Sequence, residues 1–221
     1  MAPLIFLLVG VAAAALYWWQ HQAALNREQQ FRAVAAQRNW TYYEDDPFGT
    51  LGLDFEIFGR GHDNKVLNVL VGADEQGKEL RVFDYVYTTG SGNSREIHWW
   101  TCVTLALGGL LPSLSISHDN VLNRMADAVT HHDIQLESEE FNRRFAVHSN
   151  DPRFATAFLD PQMMAYLLSA DIPDVVGVGT GWLLQTFHRT KPAEFDRLIG
   201  ACDAIRDHIP SVVWELYPPR T

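Results

Sequence analysis

The feature that most constrains this chain lies at its start. From Pro3 to Trp19 no residue carries a charge, and a run of about 17 residues sits at the lower limit for crossing the hydrocarbon core of a bilayer. Tyr17, Trp18 and Trp19 close the run, a cluster suited to the water interface, where a ring keeps its body among acyl chains and its polar atom among headgroups. The sequence therefore predicts a transmembrane anchor over residues 1–20, a juxtamembrane helix over 21–40 and one globular domain over 41–221. The competing reading is a signal peptide cleaved near Ala12 to Ala15, which would release an exported soluble domain. No Lys or Arg precedes the run and it continues into bulky aromatics, which favours retention.

Charge then sets an orientation. The first forty residues carry Arg27, Arg32 and Arg38 against Glu28, all of them after the apolar run. By the positive-inside tendency these three arginines set the topology of a single-pass membrane protein with its domain facing the cytoplasm. The whole chain has a formal net charge of -10 and its first forty residues are net +2, so residues 41–221 carry -12. Such a domain repels polyanions, so nucleic acid is not an expected partner.

The two cysteines, Cys102 and Cys202, are far apart and in apolar surroundings. They read as unpaired core thiols, although an exported domain would let them join.

Past residue 20 the sequence is read by its periods. His21 to Asn39 continues as a helix, with Ala24, Phe31, Val34 and Ala35 along one side. Between Asp45 and Ile116 the pattern becomes that of strands punctuated by turn residues, predicting an antiparallel meander with strands near 53–58, 66–73, 79–88, 95–107 and 114–116. Pairing Tyr87 with Arg95 would place Phe83 by Trp99 on one face and Asp84 opposite His98 on the other. After Pro112 helices dominate. Ser138, Asn150-Asp151-Pro152 and Asp160-Pro161 mark helix starts, as does Ser117 to Asp119 before 120–129. Short strands are expected at 134–137 and 145–148, a hairpin at 175–187 and a helix over 192–207. The fold class is α+β: an N-terminal transmembrane helix followed by one globular domain with an antiparallel β-meander and several short helices.

Motifs that carry chemistry are scarce. Thr88 to Ser94 is glycine-rich but lacks the Gly-Lys-Ser/Thr ending of a phosphate loop and reads as a hairpin loop. Gly177-x-Gly179-x-Gly181 precedes a strand-like run where a dinucleotide site needs a helix. His131-His132-Asp133 has no second cluster at metal-ligand spacing, and no cofactor or metal is implied. The acid/base candidates are Asp84 and His98, because a carboxylate beside an imidazole fixes its tautomer and raises its basicity. With no nucleophile or oxyanion donor attached to them, a cross-strand structural contact is the favoured interpretation.

Two stretches carry a resemblance: Val82-Phe83-Asp84-Tyr85-x-Tyr87-Thr88-Thr89-Gly90-Ser91-Gly92, and Glu137-Ser138-x-x-Phe141-Asn142-Arg143-Arg144-Phe145 followed by Asp151-Pro152-Arg153-Phe154-Ala155. They resemble a group of uncharacterised bacterial proteins with an N-terminal membrane segment. The resemblance implies a bacterial membrane protein and brings no activity with it. The function expected from the sequence is a non-catalytic protein-interaction or structural module, partnered by the membrane through its helix and by another protein or a second copy. The alternative is a membrane-tethered enzyme working through Asp84 and His98.

Overall fold

The computed structural model describes residues 2–118, 134–170 and 174–218. Its first element, α1, is one continuous helix from Ala2 to Arg38, running without a break through the boundary expected at residue 20. Asn39 ends it by turning into the left-handed region at φ 54°, a conformation asparagine tolerates at a helix C-terminus. Trp40 then folds back, its N–H reaching Ala35 O at 2.9 Å. Its ring lies where a Cβ on Gly72 would stand, so only glycine permits this approach.

Eight strands form one sheet: β1 (Thr41–Asp45), β2 (His62–Ala73), β3 (Glu79–Thr89), β4 (Glu96–Ala106), β5 (Leu114–His118), β6 (Phe145–Ser149), β7 (Val175–Gly179) and β8 (Trp182–His188). Their order is β1-β2-β3-β4-β8-β7-β5-β6, and every pairing is antiparallel. The meander of β1 to β4 is thus continued by the β7–β8 hairpin, which joins along β4. Both faces of the sheet are covered, which is why β3 is buried along nearly its whole length and shows no alternation of apolar and polar residues.

One face packs against helices. Phe31 and Ala35 of α1 meet Leu70, Leu80, Val82, Val103 and Leu105 there, together with α5 (Phe195–Asp207). Phe31 is fully buried and meets Phe195 edge-on at 5.0 Å. On this side also lie α2 (Glu139–Arg144), α3 (Pro152–Phe158), α4 (Pro161–Ser169) and α6 (Ser211–Leu216). Their caps are the ones the sequence marks: Ser138 accepts from Phe141 N, Asp151 from Arg153 N and Phe154 N, and Asp160 from Met163 N. The other face is closed by residues 53–58, where Phe55, Ile57 and Phe58 pack on Phe83, Tyr85 and Trp100.

Several expectations are corrected. Residues 53–58 are not the expected strand; they lead from a 3-10 turn at Thr50–Gly52 into another at Glu56–Gly59, because Asp46 turns the chain by capping Phe48 N and Thr50 N. Ile134 makes a backbone bond to Val147 O in place of a strand over 134–137. The helix expected at 120–129 and His131-His132-Asp133 lie outside the described residues.

The transmembrane anchor is also corrected: among the described residues no helix is long and apolar enough to cross a membrane. The α+β class stands, without the membrane, transmembrane and single-pass features expected of it. The physical reason is length: the uncharged run ends at Gln20-His21-Gln22 after about 17 residues, the lower limit for crossing a bilayer core.

Candidate functional site

The strongest polar arrangement in the molecule joins α1 to the sheet. Asp84, midway along β3, is fully buried. Its carboxylate receives Arg27 Nε at 2.6 Å on Oδ2 and Arg27 Nη2 at 2.5 Å on Oδ1, a two-point fork that suits guanidinium and carboxylate geometry. Asn68 Nδ2 adds a third bond at 3.1 Å. Two further bonds engage Arg27: Nη1 reaches Thr190 O at 2.9 Å and Nη2 reaches Thr101 Oγ1 at 3.2 Å, while Thr101 Oγ1 accepts from Thr190 N.

Local backbone geometry makes this possible. The β2–β3 register is interrupted between Leu67 and Leu70, and Asn68 takes a positive φ of 54° there. Such a bulge re-aims a side chain. It turns Asn68 toward Asp84, where its Oδ1 also accepts the Tyr42 hydroxyl at 2.9 Å. Burial pushes the Tyr42 phenol up to about 12, so it remains a donor. The result is a charge pair in which the carboxylate accepts three hydrogen bonds and the guanidinium donates four, the condition under which a buried ion pair is tolerated.

Asp84 and His98 are not brought together. The observed register pairs Asp84 with Thr101 and Tyr87 with His98, three residues away from the expected one. An odd shift exchanges the faces of the sheet, so Asp84 points to the α1 side and His98 to the other. The cause is the hairpin connection, where a 3-10 turn at Gly92–Ser94 delays β4 until Glu96. His98 instead shares a hydrogen bond of 2.7 Å with Thr89 Oγ1 and stacks on Tyr87 at 4.7 Å.

The residues expected at a membrane interface have another placement. Tyr17, Trp18 and Trp19 are 74%, 64% and 65% exposed on α1, with Tyr17 stacked on His21. The three arginines expected to set topology are fasteners of α1: Arg27 binds Asp84, Arg32 pairs with Glu28 and covers the Tyr42 ring, and Arg38 pairs with Asp196 and covers Trp40. Cys102 and Cys202 are both free and buried, and burial raises both thiols.

A second polar cluster lies in a cleft of about 250 Å³ bordered by Asp54, Glu56, Ser115, His148 and Asn150. His148 Nδ1 lies 3.1 Å from Glu56 Oε2. The His148 hydrogen bond, aided by the charge of Arg60, holds the Glu56 carboxyl down at about 2. Ser115 stands opposite His148 across β5 and β6, while Ser149 Oγ is committed to Ser113 O at 2.5 Å. Nothing in the sequence pointed to this cleft, since Glu56 and His148 are 92 positions apart. Among the described residues no group of three His, Cys, Asp or Glu side chains is placed to hold a metal.

No family model matches the sequence, and no curated protein does. Among solved structures, the chain is similar in fold to the mycobacterial trehalose monomycolate transport factor A, TtfA, with a TM-score of 0.61 at 14% identity, over 88% of this chain and 97% of that one. At that identity the likeness establishes the shared α+β architecture, one built by a bacterial protein.

Proposed function

We infer that this protein is a non-catalytic interaction module, an accessory domain that presents the first half of α1 to a protein partner. One observation carries this reading. Val11, Leu16, Tyr17, Trp18 and Trp19 are each more than half exposed, on a helix whose other half is locked to the sheet by Arg27–Asp84 and Phe31. Contiguous exposed apolar surface on a folded protein marks a contact site, and aromatic residues are the usual anchors of such contacts. Leu16 to Trp19 are consecutive and so ring the helix, which calls for a partner that surrounds it with an apolar groove. The fold likeness to a protein named as a transport factor supports an accessory role. The two acid/base candidates, facing opposite sides of the sheet, lend no support to the enzyme alternative.

The test is site-directed photocrosslinking in cells of the source organism. A benzophenone side chain at Trp18 is expected to give a discrete adduct with one other protein, and the same group at the exposed Arg95 is expected to give none. Adducts at Trp18 that contain only a second copy, or no adduct at all, would remove the reading.

A further inference from the structure

Residues 41–221 carry a net charge of -12, yet the sheet face beside the exit of α1 carries cations. Arg27 binds Asp84 and Thr101, which with Leu67 of β2 form one row across the sheet. Two residues further along each strand, and so on the same face, the register sets Lys65 beside Val86 and Val86 beside Trp99. Arg189, which follows β8, completes this second row with its guanidinium 4.2 Å from the centre of the Trp99 ring. Lys191 stands beyond Thr190, whose N–H donates to Thr101 Oγ1 and whose carbonyl accepts from Arg27.

Lys65, Arg189 and Lys191 are exposed, Trp99 is half-buried and Val86 is buried. Among the described residues none of the three cations forms an ion pair. Asp84, whose charge reaches Arg189, is already engaged by Arg27. Contacts along the helix place this shelf. Arg27 meets Thr190, Phe31 meets Phe195 and Arg38 meets Asp196, so residues 190–196 track α1 in its own direction, and residues 188–191 lie where the helix leaves the domain. Trp19 is eight residues before Arg27, about 12 Å along the axis. A protein interface of ordinary size, about 800 Å² on each partner, spans that distance.

We propose that, given the docking role inferred for α1, Lys65, Trp99, Arg189 and Lys191 form a second contact for the same protein partner, and that an acidic segment of that partner meets them. Charge complementarity selects the occupant, since carboxylates neutralise cations that the domain itself leaves unpaired. Arg189 is the anchor. Stacked on Trp99, its planar fork is held in place before a carboxylate arrives, which lowers the entropy cost of a two-point bond, and arginine with tryptophan is a usual composition of interface hot spots. Lys65 and Lys191 flank it as point charges. The shelf also supplies what the helix lacks: Leu16 to Trp19 ring α1 and leave the rotational setting of a partner undefined, whereas a patch of opposite charge at the foot of the helix fixes it.

The test places a benzophenone side chain at Lys191 of the full chain in cells of the source organism. It is expected to form an adduct with the same protein that the group at Trp18 captures, and mass spectrometry of the crosslinked peptide is expected to locate it in a segment rich in Asp and Glu. In a chain carrying Lys65→Glu/Lys191→Glu the yield of the Trp18 adduct should fall about tenfold with thermal stability unchanged, because both side chains lie in water; Lys65→Arg/Lys191→Arg should keep the yield. If Trp18 captures a partner while Lys191 captures none, or captures a segment without carboxylates, or if the glutamates leave the Trp18 yield unchanged, the shelf is no part of the contact and the docking role of α1 stands without it. Lys191 adducts with phospholipid, or with a second copy alone, also overturn the proposal, by putting an anionic bilayer or another acidic domain on the shelf. If Trp18 captures no other protein, the docking role and the second contact fall together, whatever Lys191 captures.

Discussion

At the scale of single residues, the energetics concentrate in Asp84 and Glu56. Asp84 is fully buried and Arg27 nearly so, so removing one partner strands the other's charge. Arg27→Met and Asp84→Asn are each expected to lose about 3–5 kcal/mol in urea unfolding. The double variant Arg27→Met/Asp84→Asn should lose clearly less than the sum, because it strands no charge. Strict additivity would show that the two side chains do not act as a unit. Glu56 gives a pH effect instead. Its carboxyl titrates near 2 in the folded chain against an ordinary 4.5, so the pair with His148 and Arg60 stabilises the fold fully above about 4.5, and this contribution disappears as pH falls toward 2. Glu56→Gln should therefore flatten part of the loss of thermal stability between those values. An unchanged acid limb would mean that the pair does not persist in solution.

At the scale of elements, α1 divides into a rooted half and a projecting half. Side chains 14–26 are exposed apart from the half-buried Gln22, whereas Phe31 and Ala35 are in the core. Phe31→Ala should cost about 3–5 kcal/mol and raise amide exchange over residues 27–38. A chain beginning at Gln22 should keep its stability within about 0.5 kcal/mol, and one beginning at Thr41 should lose cooperative unfolding; equal stability of the two would show that the rooted half contributes nothing. This division was half legible in sequence. The spacing of Phe31, Val34 and Ala35 announces a buried side, and Ser138, Asp151 and Asp160 announce helix starts, because capping is local chemistry. The partner of Arg27 was not legible, being 57 positions away on a strand whose burial on both faces erases the alternation that would have shown which side Asp84 takes. The three-residue error in register has a similar origin: the turn at Gly92–Ser94 consumes residues that a tight hairpin would have paired. Thr41–Asp45 was missed as a strand because its residues are mostly exposed at a sheet edge and carry no apolar pattern.

At the scale of the whole molecule, a closed acidic domain and an apolar helix segment have opposing tendencies. The domain's charge of one sign favours solubility and separation of copies; the ring of Leu16, Tyr17, Trp18 and Trp19 favours any contact that removes it from water. In the absence of its partner, the full chain is expected to associate with itself in a concentration-dependent way, and added salt should strengthen that association by screening the repulsion between domains. Sedimentation velocity checks both parts. The full chain should shift toward larger species between 10 and 200 mM salt, and Trp18→Glu/Trp19→Glu should stay monomeric at every concentration without losing thermal stability, because neither side chain touches the domain. If the double glutamate variant associates as the wild type does, the sticky surface lies on the domain itself, at the exposed edge of β1, and the partner would have to be sought there.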